Sequence, residues 1–376
     1  MRAGYSPVCF DLFADADLAA MATVKAIPLA DWPFAILPYL KSFFGMPFLY
    51  TGGLENHPGF LDQVAKTQPF WGNTPDIYQP LRDPFYLNLT LQSHGIRFPE
   101  LGQNREKIPD GDDWLLKPLA SAGGMGIRQL SFDSANHSEK WKCPQGYYAQ
   151  KRIPGEDISV SFLLNRLGPR VLMVSRGNPL REDLGVPGMG YAGNHFAGTD
   201  WQPLDEGILE KLGGLLWNQG LRGLVGVDGK IDDQGHFFLL EVNPRYTASM
   251  ELGEMGLNIP FAKLHVDCFT SPVGDDKSAN SATNKTKFPH PDNTPRTKSI
   301  FYARKNVHFS PDIKWPEKWI SLEERHQVTL CDLPSPGTIV AKGAPILTII
   351  EKGTPWANLR ERFRPILEDL RNQLEH

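Results

Sequence analysis

The sequence predicts an α/β (α+β) fold of several packed units, and three observations carry that expectation. The chain has 376 residues, more than one ordinary compact core absorbs and enough for two or three. Short apolar runs of strand character alternate with segments of helical spacing. Glycine- and proline-rich turns such as Gly52-Gly53, Ser121 to Gly126, Pro154-Gly155 and Pro334 to Gly337 punctuate these runs.

Composition narrows the functional classes. At 41% hydrophobic, 22% charged and a formal net charge of -4, the chain is ordinary for a folded soluble protein and has no electrostatic reason to approach nucleic acid or an anionic membrane. The most apolar region, 34–50, is broken by Pro38, Lys41 and Pro47, too short a run to span a bilayer. No apolar stretch of signal-peptide type follows Met1. Cys9, Cys143, Cys268 and Cys331 lie far apart with no Cys-x-x-Cys pair, which predicts reduced thiols and a cytoplasmic location.

Taken in order, Pro7 to Leu12 and Thr23 to Pro28 read as short strands, Phe48 to Gly53 as a strand entering a glycine turn, and Pro58 to Lys66 as a helix. Together they predict a Rossmann-like unit over 1–80 whose usual first strand is absent, so that either translation starts upstream or the protein does without it. From Asp83 to Pro99 a helix stopped by Gly95 leads into a strand. Trp114 to Lys117, Tyr147 to Lys151, Ser159 to Leu164 and Val171 to Ser175 are strands by β-propensity. Ile208 to Gln219 is an amphipathic helix. Val225 to Asp228 and Phe237 to Val242 form a hairpin across Asp232 to Gly235. These elements make one unit over 81–270, with a small part at 81–150 and a larger part at 151–270. Residues 271–298 have almost no large apolar side chains and are expected to be a flexible linker or loop. A C-terminal β-rich subdomain with a closing helix covers 299–373, and Leu374-Glu375-His376 reads as the start of a histidine tag.

The strongest chemical signal is Glu241-Val242-Asn243-Pro244-Arg245 after an apolar strand, with Asp228 on the strand before it. A hairpin sets the two carboxylates side by side, and Asn243 shares the face of Glu241 because strand side chains repeat every second residue. This hard-oxygen cluster suits magnesium, which takes one or two carboxylates and completes its shell with water and phosphates. Arg245 adds a charged fork toward developing phosphoryl charge. A pair of carboxylates alone would equally fit a hairpin with solvated ends; the added Asn-Pro-Arg does not.

Lys117 is followed by Ser121-Ala122-Gly123-Gly124-Met125-Gly126. Glycines let a backbone approach a phosphate, and a lysine at a strand end adds charge to the same anion. Taken alone this is more often a surface hairpin, and it is neither a Walker A nor a kinase loop. The third segment, Gln150-Lys151-Arg152-Ile153 with Pro154-Gly155 and Asp157, leaves backbone groups at a strand end that suit an adenine edge and a carboxylate that suits ribose hydroxyls.

In this order and spacing the three segments resemble the ATP-grasp superfamily from about Asp83 to Phe269. The resemblance implies ATP as substrate, with Lys117 on the phosphates, Ser121, Gly123, Gly124, Met125 and Gly126 folded over them, and Gln150, Lys151, Arg152 and Ile153 lining the adenine pocket. It also places Asp157 near the ribose, two Mg2+ ions on Asp228, Glu241 and Asn243, and Arg245 at the reacting centre. Many members carry a lysine where this chain has Arg82-Asp83-Pro84, so phosphate binding is expected to draw on Arg176 or Arg181 as well. Gly52 to Asn56 and Pro336 to Thr338 are similar to ATP-grasp proteins encoded with tetrahydromethanopterin and methanofuran one-carbon enzymes, among them tyramine-glutamate ligase. The implied activity is carboxylate-amine ligation through an acyl phosphate, with small-molecule carboxylate and amine substrates, Tyr191 and Asn194 covering the acceptor from the loop at 185–193, and a homodimer as the default assembly. The rivals are a biotin-carboxylase-like enzyme, although the sequence has no Met-Lys-Met attachment site, and a non-catalytic nucleotide-binding regulator.

Overall fold

The computed structural model describes residues 3–104, 108, 113–130, 141–270, 292–310 and 315–374. Its centre is an eight-stranded antiparallel sheet in the order Phe237–Asn243, Gly223–Ile231, Glu156–Asn165, Gly168–Gly177, Asn194–Phe196, Arg296–Tyr302, Pro345–Lys352 and Val328–Cys331. Strands from the middle and the end of the chain are thus hydrogen-bonded into one sheet. A second sheet of four strands, ordered Leu101–Gly102, Tyr147–Lys151, Trp114–Pro118 and Arg128–Leu130, carries the glycine-rich turn.

The predicted helices form where capping and spacing place them. Pro84–Gln92 opens with proline in its first turn, and the Asp83 carboxylate accepts from the Phe85 and Tyr86 amides, which satisfies two otherwise unpaired donors. Glu206–Asn218 is capped by Asp205 and buries Leu209, Leu212, Leu215 and Leu216. Among the described residues no helix is long and apolar enough to cross a membrane.

Three expectations shift at their boundaries. The strand read at 48–53 does not form: Phe48 makes a single parallel bridge to Phe70, and the chain then turns through Gly53, at φ +87°, into a 3-10 turn at Leu54–Asn56. Only Val8–Asp11 and Thr23–Ala26 pair as parallel strands in the first unit. The strand expected from Ser299 starts at Arg296, where Arg296, Thr297 and Lys298 pair with Lys352, Glu351 and Ile350. Of the expected linker, 271–291 lies outside the described residues. Of the three residues read as the start of a tag, Leu374 ends the helix Leu359–Leu374 and packs against the C-terminal core; 375–376 are outside the described residues.

Packing ties the first unit to the large sheet. Ile27, Tyr50, Phe60, Leu61 and Tyr78 share one apolar cluster with Ile158, Val160, Val225 and Leu212, while Phe301, Val328, Ile349 and Phe363 belong to a second, C-terminal one. Asn73 fastens the first unit to the end of the hairpin: its Nδ2 donates to the carbonyls of Arg222 and Pro244, both at 2.9 Å, and its Oδ1 accepts from the Arg222 amide at 2.8 Å. Removing a buried partner leaves such groups unpaired at a cost of about 1–3 kcal/mol. Asn73→Ala is expected to lower stability by roughly 3 kcal/mol, read as a fall in the urea midpoint with an unchanged m-value; a midpoint within error of wild type would remove Asn73 from this role.

Candidate nucleotide and metal site

The site is built on cross-strand register. Asp228 lies opposite Glu241 on one side and opposite Ser159 on the other, and Ser159 lies opposite Ser175. Directly opposed residues of antiparallel strands face the same way, so Glu241, Asp228, Ser159 and Ser175 form a polar row across four strands. A bulge between Asp228 and Gly229 separates this row from the apolar end of the hairpin. Ser159 Oγ donates to Asp228 Oδ1 at 2.6 Å, and Asn243 Nδ2 donates to Asp228 Oδ2 at 2.8 Å and Glu241 Oε1 at 3.2 Å. Asn194 Nδ2 reaches Ser175 Oγ at 3.2 Å and Ser159 Oγ at 3.3 Å, and Tyr191 OH donates to Asn194 Oδ1.

The two carboxyls of this row titrate apart. Burial, reinforced by the charge of Glu241, pushes the Asp228 carboxyl up to about 7. Burial works in the same direction on Glu241, but the charges of Arg82 and Lys117, the Asn243 amide and Arg245 overcome it and hold that carboxyl below its ordinary value. One ionised and one readily ionised carboxylate form a donor pair that fits Mg2+ completed by phosphates and water; the Asn243 amide, whose Nδ2 donates to both carboxylates, would have to turn over to add its oxygen. Among the described residues there is no cluster of three or more His, Cys, Asp or Glu that would hold a metal on protein ligands alone.

The row floors a cavity of about 650 Å³. Lys117, Ser121, Gly123, Gly124, Asp157, Tyr191, Asn194, Asp228, Glu241, Asn243 and Arg245 all line it. Lys117 Nζ donates to Gln150 Oε1 at 3.1 Å. The Gln150 amide, 2% exposed, has an Nε2 with no partner among the described residues. A buried unpaired donor is costly, and this one lies behind the cavity wall that Lys117 lines. Overhead, Gly123 O accepts from the Tyr191 amide at 3.0 Å. A Cβ on Gly124, at φ +75°, would stand 2.0 Å from Met189 O, so this position closes only as glycine.

Several predicted residues lie elsewhere. Met125, Gly126, Gln150, Lys151, Arg152, Ile153 and Arg176 are not on the cavity wall. Lys151 pairs with Glu100 and Arg152 with Asp113, and their backbone amides are bonded to Glu100 O and Asp113 O, so neither amide is available to a base. Arg176 is one residue out of phase with Ser175 and Gly177, and strand alternation sends it to the opposite face. There it is held between the rings of Trp201 and Trp356, at 4.3 and 4.4 Å, and bonded to Glu156 at 3.1 Å. Arg181 lines the cavity, but its fork grips Gly190 O and Gly188 O. Arg245 also differs from expectation. Its Nε and Nη2 donate to both oxygens of Glu55 at 2.8 and 2.7 Å, and its Nη1 donates to Tyr246 O. The fork is spent on a buried carboxylate and does not project at a reacting centre.

Two contributors were not read as site residues. Arg82 stands where a lysine was missed, with Nη1 3.9 Å from Glu241 Oε2, and Glu55 neutralises Arg245. The Asp83-Pro84 helix start places Arg82 at the site, a signal available in the sequence; nothing local to Glu55 announces its partner 190 residues away.

A sheet-borne carboxylate pair under a glycine-rich roof is a candidate site for a triphosphate and its cation. Residues 82–249 match the family described as ATP-grasp domain. It is also similar to an uncharacterised protein of Methanocaldococcus jannaschii, 22% identical over 289 residues, covering 75% of this chain and 63% of that protein's length. Among solved structures, it is similar to an L-amino acid ligase from Bacillus licheniformis (TM-score 0.66, 14% identity, 98% of this chain and 92% of that one). It also resembles the N5-carboxyaminoimidazole synthetase of Staphylococcus aureus in complex with ADP (0.66, 12%, 97% and 91%). A third is the biotin carboxylase domain of Hydrogenobacter thermophilus 2-oxoglutarate carboxylase with MgADP and bicarbonate (0.65, 14%, 97% and 84%). These likenesses show the fold.

Because the Asp228 carboxyl sits at about 7 in the fold against 3.8 unfolded, its neutral form stabilises the metal-free protein fully below about pH 4, and that contribution is lost as pH rises through 7. Metal binding must displace the same proton. Magnesium-dependent ADP binding is expected to tighten about fivefold from pH 6 to 7 and to level off above about pH 8, measured by isothermal titration. Asp228→Asn is expected to bind weakly and without that slope; a slope preserved in the variant would assign the proton elsewhere.

Proposed function

We propose that the chain is an ATP- and Mg2+-dependent ligase that activates a small-molecule carboxylate as an acyl phosphate and joins it to an amine. The single observation that carries this reading is the register that sets Asp228, Glu241 and Asn243 together on the floor of a cavity roofed by Gly123 and Gly124. Asp228, Glu241 and Asn243 would hold magnesium, two ions by the resemblance, and bound magnesium neutralises triphosphate charge. Lys117 and Arg82 supply fixed positive charge beside it. The acceptor carboxylate oxygen attacks the γ-phosphorus, the bond to the β-phosphate oxygen breaks, and ADP leaves. The amine nitrogen then attacks the acyl carbon; inorganic phosphate departs and the nitrogen loses its proton. Tyr191 and Asn194, bonded to each other beside Ser159, form the wall against which the acceptor is held, and the Gly123 to Tyr191 contact excludes water.

The reading extends to a cofactor precursor of one-carbon metabolism on the strength of the Gly52 to Asn56 and Pro336 to Thr338 motifs, and to a cytoplasmic homodimer on the dispersed cysteines and the usual assembly of soluble enzymes. The engagement of Arg245 by Glu55 is the observation that favours the other reading, a nucleotide-binding regulator, because the fork is not offered to a reacting phosphate. The test is ADP release from MgATP with carboxylates and amines supplied singly and in pairs. ADP formed only with a matched pair supports the ligase, and Glu241→Gln should lower that rate by about a hundredfold or more. MgATP binding without turnover on any pair would favour the regulator, and bicarbonate-dependent ADP release without an amine would favour a carboxylase.

A further inference from the structure

Glu55 and Asn56 are consecutive residues of the 3-10 turn Leu54–Asn56, and between them they touch three parts of the site. Glu55 holds Arg245, as described above. Asn56 holds the other two. Its Oδ1 accepts from Arg82 Nη2 at 2.9 Å, and its Nδ2 donates to Ser121 O at 3.2 Å. Arg82 Nη2 bonds to that same Ser121 carbonyl at 3.2 Å. One asparagine, one arginine and one carbonyl of the glycine-rich loop therefore close a triangle.

The triangle decides which way Arg82 points. A guanidinium is planar and its donors are fixed relative to one another. With Nη2 committed to Asn56 and Ser121, Nη1 is turned toward Glu241, at 3.9 Å, beyond hydrogen-bonding distance. Both Arg82 and Glu241 line the cavity, so Nη1 is a half-buried cationic donor facing the space between loop and floor.

We propose that Asn56 is a positioning residue: it aims Arg82 Nη1 at the phosphate chain of a bound nucleotide and, through Ser121, seats the glycine-rich loop over it. The first unit of the chain is then part of the nucleotide site without touching the nucleotide. This rests on the nucleotide reading above and adds to it a residue from outside the matched domain.

The asparagine's two roles separate by substitution. Asn56→Ala removes both contacts. Asn56→Asp keeps an acceptor for Arg82 but sets an oxygen against the Ser121 carbonyl. MgADP affinity is measured by isothermal titration, and seating of the loop by amide exchange over 121–126 in the nucleotide-free protein. Asn56→Ala is expected to weaken MgADP about tenfold and to speed loop exchange. Asn56→Asp should hold affinity within about threefold while speeding exchange as much as the alanine variant. A merely structural asparagine would lower both readouts together in both variants, in step with the melting temperature, and that result overturns the proposal. Wild-type affinity and exchange in Asn56→Ala also overturn it while leaving nucleotide binding intact. A wild-type protein that binds no MgADP overturns the nucleotide reading and, with it, the role assigned to Arg82.

Discussion

The pairing register of the strand Gly223–Ile231 is the constraint on which the rest of the site depends. Its two neighbours place Glu241 and Ser159 opposite Asp228, and no side chain has to be strained to bring the carboxylates together. Strand side chains alternate strictly, so a slip of one residue would turn the whole row into the apolar face beneath. Flanking residues resist that slip. Val225, Val227, Leu239 and Val242 are fully or nearly fully buried and pack into the cluster beneath the sheet, and exposing them would cost about 1.5–3 kcal/mol each. Hydrophobic burial on one face thus holds the chemistry on the other.

Charge balance shapes what that row can do. Two carboxylates side by side cannot both ionise cheaply in a half-buried site, and the structure resolves this unequally. Arg82 and Lys117 stand on the Glu241 side and keep it charged, while Asp228, with Ser159 as its nearest donor, is driven toward its neutral form. A divalent cation would remove the conflict. Arg245 belongs to a different balance. Its guanidinium would be a buried charge without Glu55, whose side chain is itself fully enclosed, and a buried ion pair persists only when its hydrogen bonds are complete. That pair, with the Asn73 contacts to Pro244, clamps the chain just beyond Asn243 and so fixes the end of the strand Phe237–Asn243.

What was legible in the sequence follows from the range of the forces involved. Asp228, Glu241 and Asn243 could be read because a hairpin is local and strand periodicity alone places them on one face. The cap at Asp83 and the helix after it were legible for the same reason. Arg176 was misplaced by one step of that same alternation: it was expected to make up for the missing lysine, but only register could show that Ser175 and Gly177 share the face of the site, with Gly177 on the cavity wall, and that Arg176 does not. Arg245 could be placed but not assigned, since its partner is distant in sequence and supplied by another unit. At Lys151 and Arg152, where adenine contacts were expected, the Glu100 and Asp113 carbonyls take the backbone amides, a long-range pairing with no local signature.

The roof of the cavity shows how little holds it shut. Its defined polar contacts are the Tyr191 amide on Gly123 O and the two donors on Ser121 O. A hydrogen bond of this kind is worth about 0.5–1.5 kcal/mol net, because water replaces it on opening. Opening is therefore a modest thermal step, while the seat is rigid: Tyr302 OH donates to Tyr191 O at 2.7 Å, and the Ile300 amide bonds to Ala192 O, both from the C-terminal part of the shared sheet. A glycine loop meeting a segment held in place by the C-terminal part of the sheet gives their contact one defined geometry. A side chain at Gly124 would abolish that geometry rather than weaken it, because the obstruction is the backbone carbonyl of Met189 and has nowhere to go.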